Sequence, residues 1–324
     1  MLKVLYLPLN FDNPQTATVK AWQDLPGVVE LEVFDYLQNY QIDKNKARVN
    51  REFIAAVAKF QPDLVHMQLQ MTGIITPESI KTARSKVTKK CLFTNWSGDV
   101  RNYPAREILE IGPAVDFTFL SNTGQMSMYS AAGCPNLRYW QIGYDPELYY
   151  PLNKPSFDYE LAFTGGNYPG TFADAGMRTQ MLRELKKVFG RRFALRGNHF
   201  PKDMGAEDPL FNKDVNELYG KSRCILSISN FNDISHYFSD RLLICMASGR
   251  PVISYRFPDY QTYFSNNSDI LIAHSVQEIV EKVRWCQGNL AAADTLGRAG
   301  AKKALSHHTY KSRIIELLQQ LGLI

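Results

Sequence analysis

The stretch SNFNDISHYFSDRLLICMASGRPVISY, residues 229–255, decides the reading of the fold. A polar loop leaves the apolar run CILSISN (224–230) and ends at Ser239-Asp240-Arg241, where an apolar helix opens. Gly249 stops that helix, and PVISY (251–255) begins the next strand. Ser or Asp before an apolar periodic segment and Gly behind it are the start and stop signals of a helix. Strand, loop, helix, tight turn and strand together make the unit of a parallel sheet with crossover helices. The N-terminus of such a helix offers unpaired backbone N–H groups, and with Arg241 in its first turn it forms a seat for a diphosphate. In the alternative reading, Ser239 and Asp240 only cap a core helix and Arg241 is solvated.

The same grammar extends in both directions. Behind the stretch come a strand at DILIA (269–273), a helix at VQEIVEKVRWCQ (276–287) and a helical tail over 290–305 and 310–323. Ahead of it are strands at YELAFTGG (159–166) and RFALRG (192–197), with helices at MRTQMLRELKKVFG (177–190) and VNELYGKS (215–222). The first half gives strands at 3–9, 29–36, 62–69, 90–96, 115–122 and 137–144. Its helices fall at 45–60, 77–86 (Pro77 in the first turn), 105–112 and 127–134. This predicts an α/β chain of two doubly wound Rossmann-like domains, 1–150 and 151–324, facing a central cleft, with a C-terminal helical tail. Tyr144–Asp158, with Pro146, Pro151 and Pro155, reads as the linker.

Composition narrows the class. The 324 residues are 45% hydrophobic and 21% charged, which excludes a disordered chain. The net charge of +5 is uneven: residues 1–150 hold 15 basic and 15 acidic side chains, residues 151–324 hold 22 and 17. A basic coat over the whole molecule is excluded, and an anion site in the second half is expected. No apolar run reaches the roughly 18 residues of a membrane helix, and MLKVLYLPLNF does not read as a signal peptide, so a cytoplasmic protein is expected. Cys91, Cys134, Cys224, Cys245 and Cys286 are widely spaced and read as buried thiols. His307-His308 has no ligand-like spacing, and no metal site is expected.

Several residues carry candidate chemistry. Gly165-Gly166-Asn167-Tyr168-Pro169-Gly170-Thr171 has P-loop glycine spacing without the Lys, and no G-x-G-x-x-G occurs. It is either a tight turn or a place where backbone meets a ligand closely. In the first half, Asp99 directly follows a strand and is placed to take a proton from an acceptor hydroxyl; the alternative is a turn or cap residue. His66, in PDLVHMQL, is either a buried hydrogen-bonded imidazole or a second catalytic contact. Gln68, Asn95 and Trp96 form an acceptor wall or ordinary packing. His199, His236, Tyr237, Asn230 and Asn232 lie at strand edges and in the loop before the 239–249 helix.

QIGYDPELYYP (141–151), YELAFTGGNYP (159–169), RTQMLREL (178–185), FALRGNH (193–199), LYGKSRCILSIS (218–229), SDRLLICMASGRPVISY (239–255) and PDYQTYF (258–264) occur in an order that resembles a known family. It is similar to the glycosyltransferase-like domain of CgeB-type spore-maturation proteins and, more broadly, to GT-B nucleotide-sugar glycosyltransferases. The resemblance covers roughly residues 140–324. It implies a metal-independent transfer of a sugar from a nucleotide-diphosphate donor, most simply a UDP-sugar, to an acceptor hydroxyl. Donor contacts would come from Gly165, Gly166, Asn167, Arg178, Arg196, Tyr237, Ser239, Asp240 and Arg241. Many relatives carry a ribose-binding Glu three residues after the Arg; here that position is Ile244. The acceptor is open between a DNA base, a glycan and a protein. For a hydroxymethylated pyrimidine, Trp96, Tyr103 or Met71 would serve as wedges. The alternative function is a non-catalytic GT-B-like binding or structural protein.

Overall fold

Short apolar runs become strands buried on both faces, as a parallel sheet covered by helices requires. The computed structural model describes residues 1–10, 16–25, 27–71, 73–152, 156–168 and 170–324. Pro155 of the expected linker and Pro169 of the glycine-rich segment lie outside the described residues. The chain divides into two units, Met1–Ile142 with Tyr310–Ile324, and Gly143–Thr309.

The first unit runs β1 (Leu2–Leu7), α1 (Thr16–Gln23), β2 (Val29–Val33), α2 (Tyr36–Asp43), α3 (Lys46–Phe60), β3 (Leu64–Met67), α4 (Pro77–Ser85), β4 (Leu92–Ser97), α5 (Arg106–Ile111), β5 (Phe117–Leu120), α6 (Met126–Ala131) and β6 (Leu137–Tyr139). The strands form one parallel sheet in the order β2-β1-β3-β4-β5-β6. On one face, Val49, Phe53 and Val57 of α3 meet Leu5, Val65 and Phe93. Their spacing of four places all three on one helix face. The strand expected over 29–36 stops at Val33, because Asp35 caps α2 by accepting the Gln38 N–H at 2.9 Å. Neither α1 nor α2 was expected from the sequence.

The second unit runs β7 (Tyr159–Thr164), α7 (Ala175–Phe189), β8 (Phe193–Arg196), α8 (Lys213–Gly220), β9 (Ser222–Ser227), α9 (Asp240–Ala247), β10 (Val252–Tyr255), β11 (Leu271–Ala273), α10 (Val276–Gly288) and α11 (Leu290–His307). Its parallel order is β11-β10-β9-β7-β8. In each unit the strand order reverses once, between β1 and β3 and between β7 and β9. Such a reversal opens a crevice at the carboxyl ends of the strands. The five cysteines are free and buried. Among the described residues no helix is long and apolar enough to cross a membrane.

The expected division at residue 150, with the whole tail in the second domain, differs from these units. The last helix, α12 (Tyr310–Gln320), belongs to the first unit. It covers the face of the sheet opposite α3, where Ile314, Leu317 and Leu318 join Val4, Tyr6, Trp22 and Trp140. Trp140 Nε1 donates to the Arg313 carbonyl at 2.6 Å, and Arg313 Nε donates to that of Ile142 at 3.1 Å. The helical periodicity of 310–323 gives an amphipathic helix but does not say which sheet its apolar face covers.

His66 lies in this same core. Its Nδ1 is 2.8 Å from Thr94 Oγ1, and its ring sits among Tyr6, Trp22 and Trp140 at 5.3–5.9 Å. Burial pulls its pKa down to about 3, so the imidazole is neutral at ordinary pH. The unfolded chain takes up a proton near pH 6.5 that the folded chain refuses until about pH 3. Stability is therefore full above pH 6.5 and falls between those values by up to about 1.4 kcal/mol per pH unit. Urea unfolding at pH 7 and pH 5 should show a smaller loss in His66→Asn than in the unsubstituted protein. Equal losses would mean that the imidazole is not buried neutral.

Candidate functional site

At the carboxyl ends of β7, β8 and β9 the chain makes two turns that zip together. Gly165 N–H donates to the Arg196 carbonyl and Asn167 N–H to that of Asn198, both at 2.9 Å. The approach is so close that a Cβ on Gly197, whose φ is +149°, would lie 2.0 Å from the Gly165 carbonyl oxygen. Asn167 is buried, with Nδ2 donating to the His199 carbonyl and Oδ1 accepting from Thr179 Oγ1 at 2.7 Å, and these bonds shape the turn.

The three expected arginines have different situations. Arg178 of α7 is wholly buried, its Nη2 donating to the Gly166 carbonyl and its Nη1 to that of Ile228 at 3.4 Å. It joins the segments that leave β7 and β9, at the reversal of strand order. Burial, with the Arg241 charge beside it, pulls Arg178 down to about 9. Arg196 is tied to Glu207 at 2.7 Å. Arg241 has no carboxylate partner among the described residues. Its guanidinium packs on Gly165, where a Cβ would come within 2.8 Å of Cζ, and lies 5.7 Å from the centroid of the Phe163 ring. An unpaired cation beside exposed backbone is the chemistry that an anionic ligand completes.

Arg241 and the glycines line a pocket of about 270 Å³. Its polar lining includes Gly165, Gly166, Asp240 and Arg241, and its apolar lining includes Tyr149, Leu210 and the exposed Phe211. At the start of α9, Ser239 is the N-cap residue but its side chain makes no capping hydrogen bond. Asp240 Oδ1 accepts from the Arg241 N–H at 2.8 Å. Ile244, one turn along α9 from Asp240, shares the pocket wall. Tyr237 sits by Arg178 and off that wall. His236 Nδ1 is 3.3 Å from Asp259 Oδ2, and the Asn230–Asn232 loop is tied to α7 through Asp174, whose carboxylate accepts from Asn232 Nδ2 at 3.0 Å. Sequence reasoning gave no individual role to Gly197 and Asn198, although both lie in FALRGNH (193–199), or to Glu207 and Phe211, which come from the β8–α8 connection outside any motif.

The first-unit candidates separate by burial. His66, Gln68, Asn95 and Trp96 are buried. Gln68 Nε2 donates to Tyr6 Oη at 2.7 Å, Asn95 Oδ1 accepts the Leu69 N–H at 2.9 Å, and Trp96 Nε1 donates to the Trp140 carbonyl at 3.1 Å. Burial favours the packing alternative for Gln68, Asn95 and Trp96 over an acceptor wall, and the buried imidazole for His66 over a catalytic contact, although His66 Nε2 and Asn95 Nδ2 have no hydrogen-bond partner among the described residues. Alternation along β3 and β4 aims these side chains into the core, where they bond to protein. Asp99, just past β4, is exposed (59% of its side chain) and pairs with Arg101 at 3.2 Å. Tyr103 and Met71 are also exposed.

Gly197→Ala drives a methyl group into a carbonyl that cannot move without opening both turns. It should destabilise the protein by more than about 2 kcal/mol in urea melts. A loss under about 0.5 kcal/mol would mean that the two turns are not packed as described.

Three comparisons bear on this geometry. Residues 178–319 match the family model described as glycosyl transferase-like. No curated protein matches the chain by sequence. Among solved structures, Anabaena HepE in complex with UDP-glucose superposes with a TM-score of 0.66 at 10% identity, covering 100% of both chains. A Rickettsia africae glycosyltransferase gives 0.67 at 13%, covering 98% of this chain and 97% of its own. AviGT4, a glycosyltransferase of avilamycin A biosynthesis, gives 0.61 at 14%, covering 99% and 97%. The chain thus has the GT-B fold of glycosyltransferases and carries a glycosyl transferase-like region at residues 178–319.

Proposed function

We propose that the protein transfers a sugar from a UDP-sugar to an acceptor hydroxyl, with the donor held in the second unit. The observation that carries this reading is the unpaired Arg241 guanidinium packed on Gly165 at the start of α9. There the diphosphate would meet a cation and the positive end of the helix dipole together. These groups stabilise charge as it develops on the leaving UDP without a metal ion. Tyr149, Leu210 and Phe211, which also line the pocket, suit the flat, partly apolar uracil. HepE, of the same fold, is solved with UDP-glucose, which supports the choice of nucleotide.

Asp240 has a more specific part than diphosphate contact, since a carboxylate repels phosphate. It stands one turn before Ile244 on the same face of α9, and both line the pocket. A carboxylate accepts hydrogen bonds from sugar hydroxyls, so Asp240 takes the ribose role that Ile244 cannot perform. Gly165 and Gly166 meet the donor through backbone. Asn167, Arg178 and Arg196 shape and support the turn.

On the acceptor side, Asp99 is the one carboxylate among the expected site residues of the first unit. It receives the proton of the attacking hydroxyl if the reaction inverts. Exposed Tyr103 and Met71 leave a hydroxymethylated pyrimidine in DNA among the acceptors to test, beside glycans and proteins. Ile244 on the pocket wall favours the second reading, a GT-B-like protein that binds without transferring. The second reading predicts donor binding with no turnover.

Calorimetric titration with UDP should show that Arg241→Ala weakens binding by about 10- to 100-fold, the worth of a charged hydrogen bond. Arg196→Ala should change it less than about threefold, because Glu207 already engages that charge. Unchanged affinity in Arg241→Ala would remove the diphosphate seat. Asp99→Asn should lower kcat by about 100-fold or more while UDP affinity stays within about twofold. Full activity in that variant would end the base role and leave the donor reading standing.

A further inference from the structure

A chain of hydrogen-bonded side chains runs from the interior of the second unit to the pocket that holds Arg241. Thr164, the last residue of β7, lines that pocket, and its Oγ1 lies 2.6 Å from Tyr219 Oη. Tyr219, in α8, is wholly buried and accepts a second bond, from Cys245 Sγ of α9 at 3.6 Å. Cys245 stands one turn after Arg241 on the same face of α9. Thr164 directly precedes Gly165, on which the Arg241 guanidinium packs. The chain therefore ties together the strand and the helix that meet at the cation.

Proton counting gives this chain a direction. Burial pushes the Tyr219 pKa far above its ordinary range, so the phenol keeps its proton. Its oxygen accepts from the Cys245 thiol, and a sulfur is a poor acceptor in return. The acceptor left for the phenolic proton is Thr164 Oγ1. The reverse direction would leave that proton buried and unsatisfied, which is costly. With Tyr219 donating, the Thr164 hydroxyl accepts from the interior and has its own proton to give elsewhere. Among the described residues Thr164 Oγ1 has no other hydrogen-bond partner, and half-buried Thr164 opens on the pocket.

A diphosphate oxygen accepts hydrogen bonds and cannot donate them, so an oriented hydroxyl proton complements the neighbouring guanidinium. On the reading that UDP occupies this pocket, we propose that the Thr164 hydroxyl donates to its diphosphate. Tyr219 is then a positioning residue: it touches no ligand, and its bond keeps the Thr164 proton turned outward. Because the phenol is already in place before the ligand arrives, the hydroxyl needs little reorientation on binding.

The test is calorimetric titration of the full chain with UDP. Thr164→Val keeps the side-chain shape without the hydroxyl and should weaken UDP by about tenfold. Thr164→Ser keeps the hydroxyl and should stay within about threefold of the unsubstituted protein. Tyr219→Phe alone should cost about threefold, but nothing further once Thr164→Val is present, since its effect passes through that hydroxyl. The double variant leaves no buried phenol without an acceptor, so it decides the matter if Thr164→Val does not fold. UDP affinity within about twofold in Thr164→Val or the double variant, while Arg241→Ala loses affinity, overturns the proposal and leaves the donor reading standing. Equal losses in Thr164→Ser and Thr164→Val overturn it too, and an added loss from Tyr219→Phe in the double variant ends the positioning role. No UDP binding by the unsubstituted protein removes the donor reading and this contact together.

Discussion

The buried guanidinium of Arg178 is the constraint on which the candidate site depends. A charge with no access to water is costly unless its donors are used. Arg178 spends its two Nη groups on backbone carbonyls, of Gly166 and Ile228, that leave neighbouring strands of the second sheet, while its Nε has no partner among the described residues. Those carbonyls sit where the strand order reverses, so the residue ties together the mouth of the crevice. The turn at Gly165 can then pack under Arg241, and the turn at Gly197 can lie directly on Gly165. Arg178 is a positioning residue: it presents the turn, and Arg241 presents the free charge.

Charge in the second half of the chain is sorted by partner rather than by count. Arg196 is neutralised by Glu207, Arg223 shares Glu160 with Arg192, and Arg178 is spent on carbonyls. Arg241, at the carboxyl edge of the sheet, has no carboxylate partner among the described residues. A surface tally of arginines would have treated all of these residues alike.

Much of the fold was legible because periodicity in the sequence reports which faces are buried. The strands of both sheets and most helices fall where apolar runs and Gly or Pro punctuation place them. The glycine turn and the start of α9 were legible for the same reason. What stayed open was the role of single side chains. His66, Gln68, Asn95 and Trp96 are polar or amphipathic residues near strand ends, a pattern equally suited to a binding wall and to a satisfied core. Only their partners (Thr94, Tyr6, the Leu69 amide and the Trp140 carbonyl) separate the two. The final helix has the same limit: its apolar stripe demands a sheet without naming which one.

The sequence by itself determined a parallel α/β architecture in two halves, a neutral first half and a basic second half, and a helix N-terminus with an arginine in its first turn. These follow from local spacing and composition, which need no knowledge of distant contacts. The tertiary structure alone decided which arginine remains unpaired, that Asp240 and Ile244 share a pocket wall, and that residues 310–324 complete the first unit. Each depends on segments far apart in the chain being brought within a few ångströms, where burial and hydrogen bonding choose among side chains that look equivalent in one dimension.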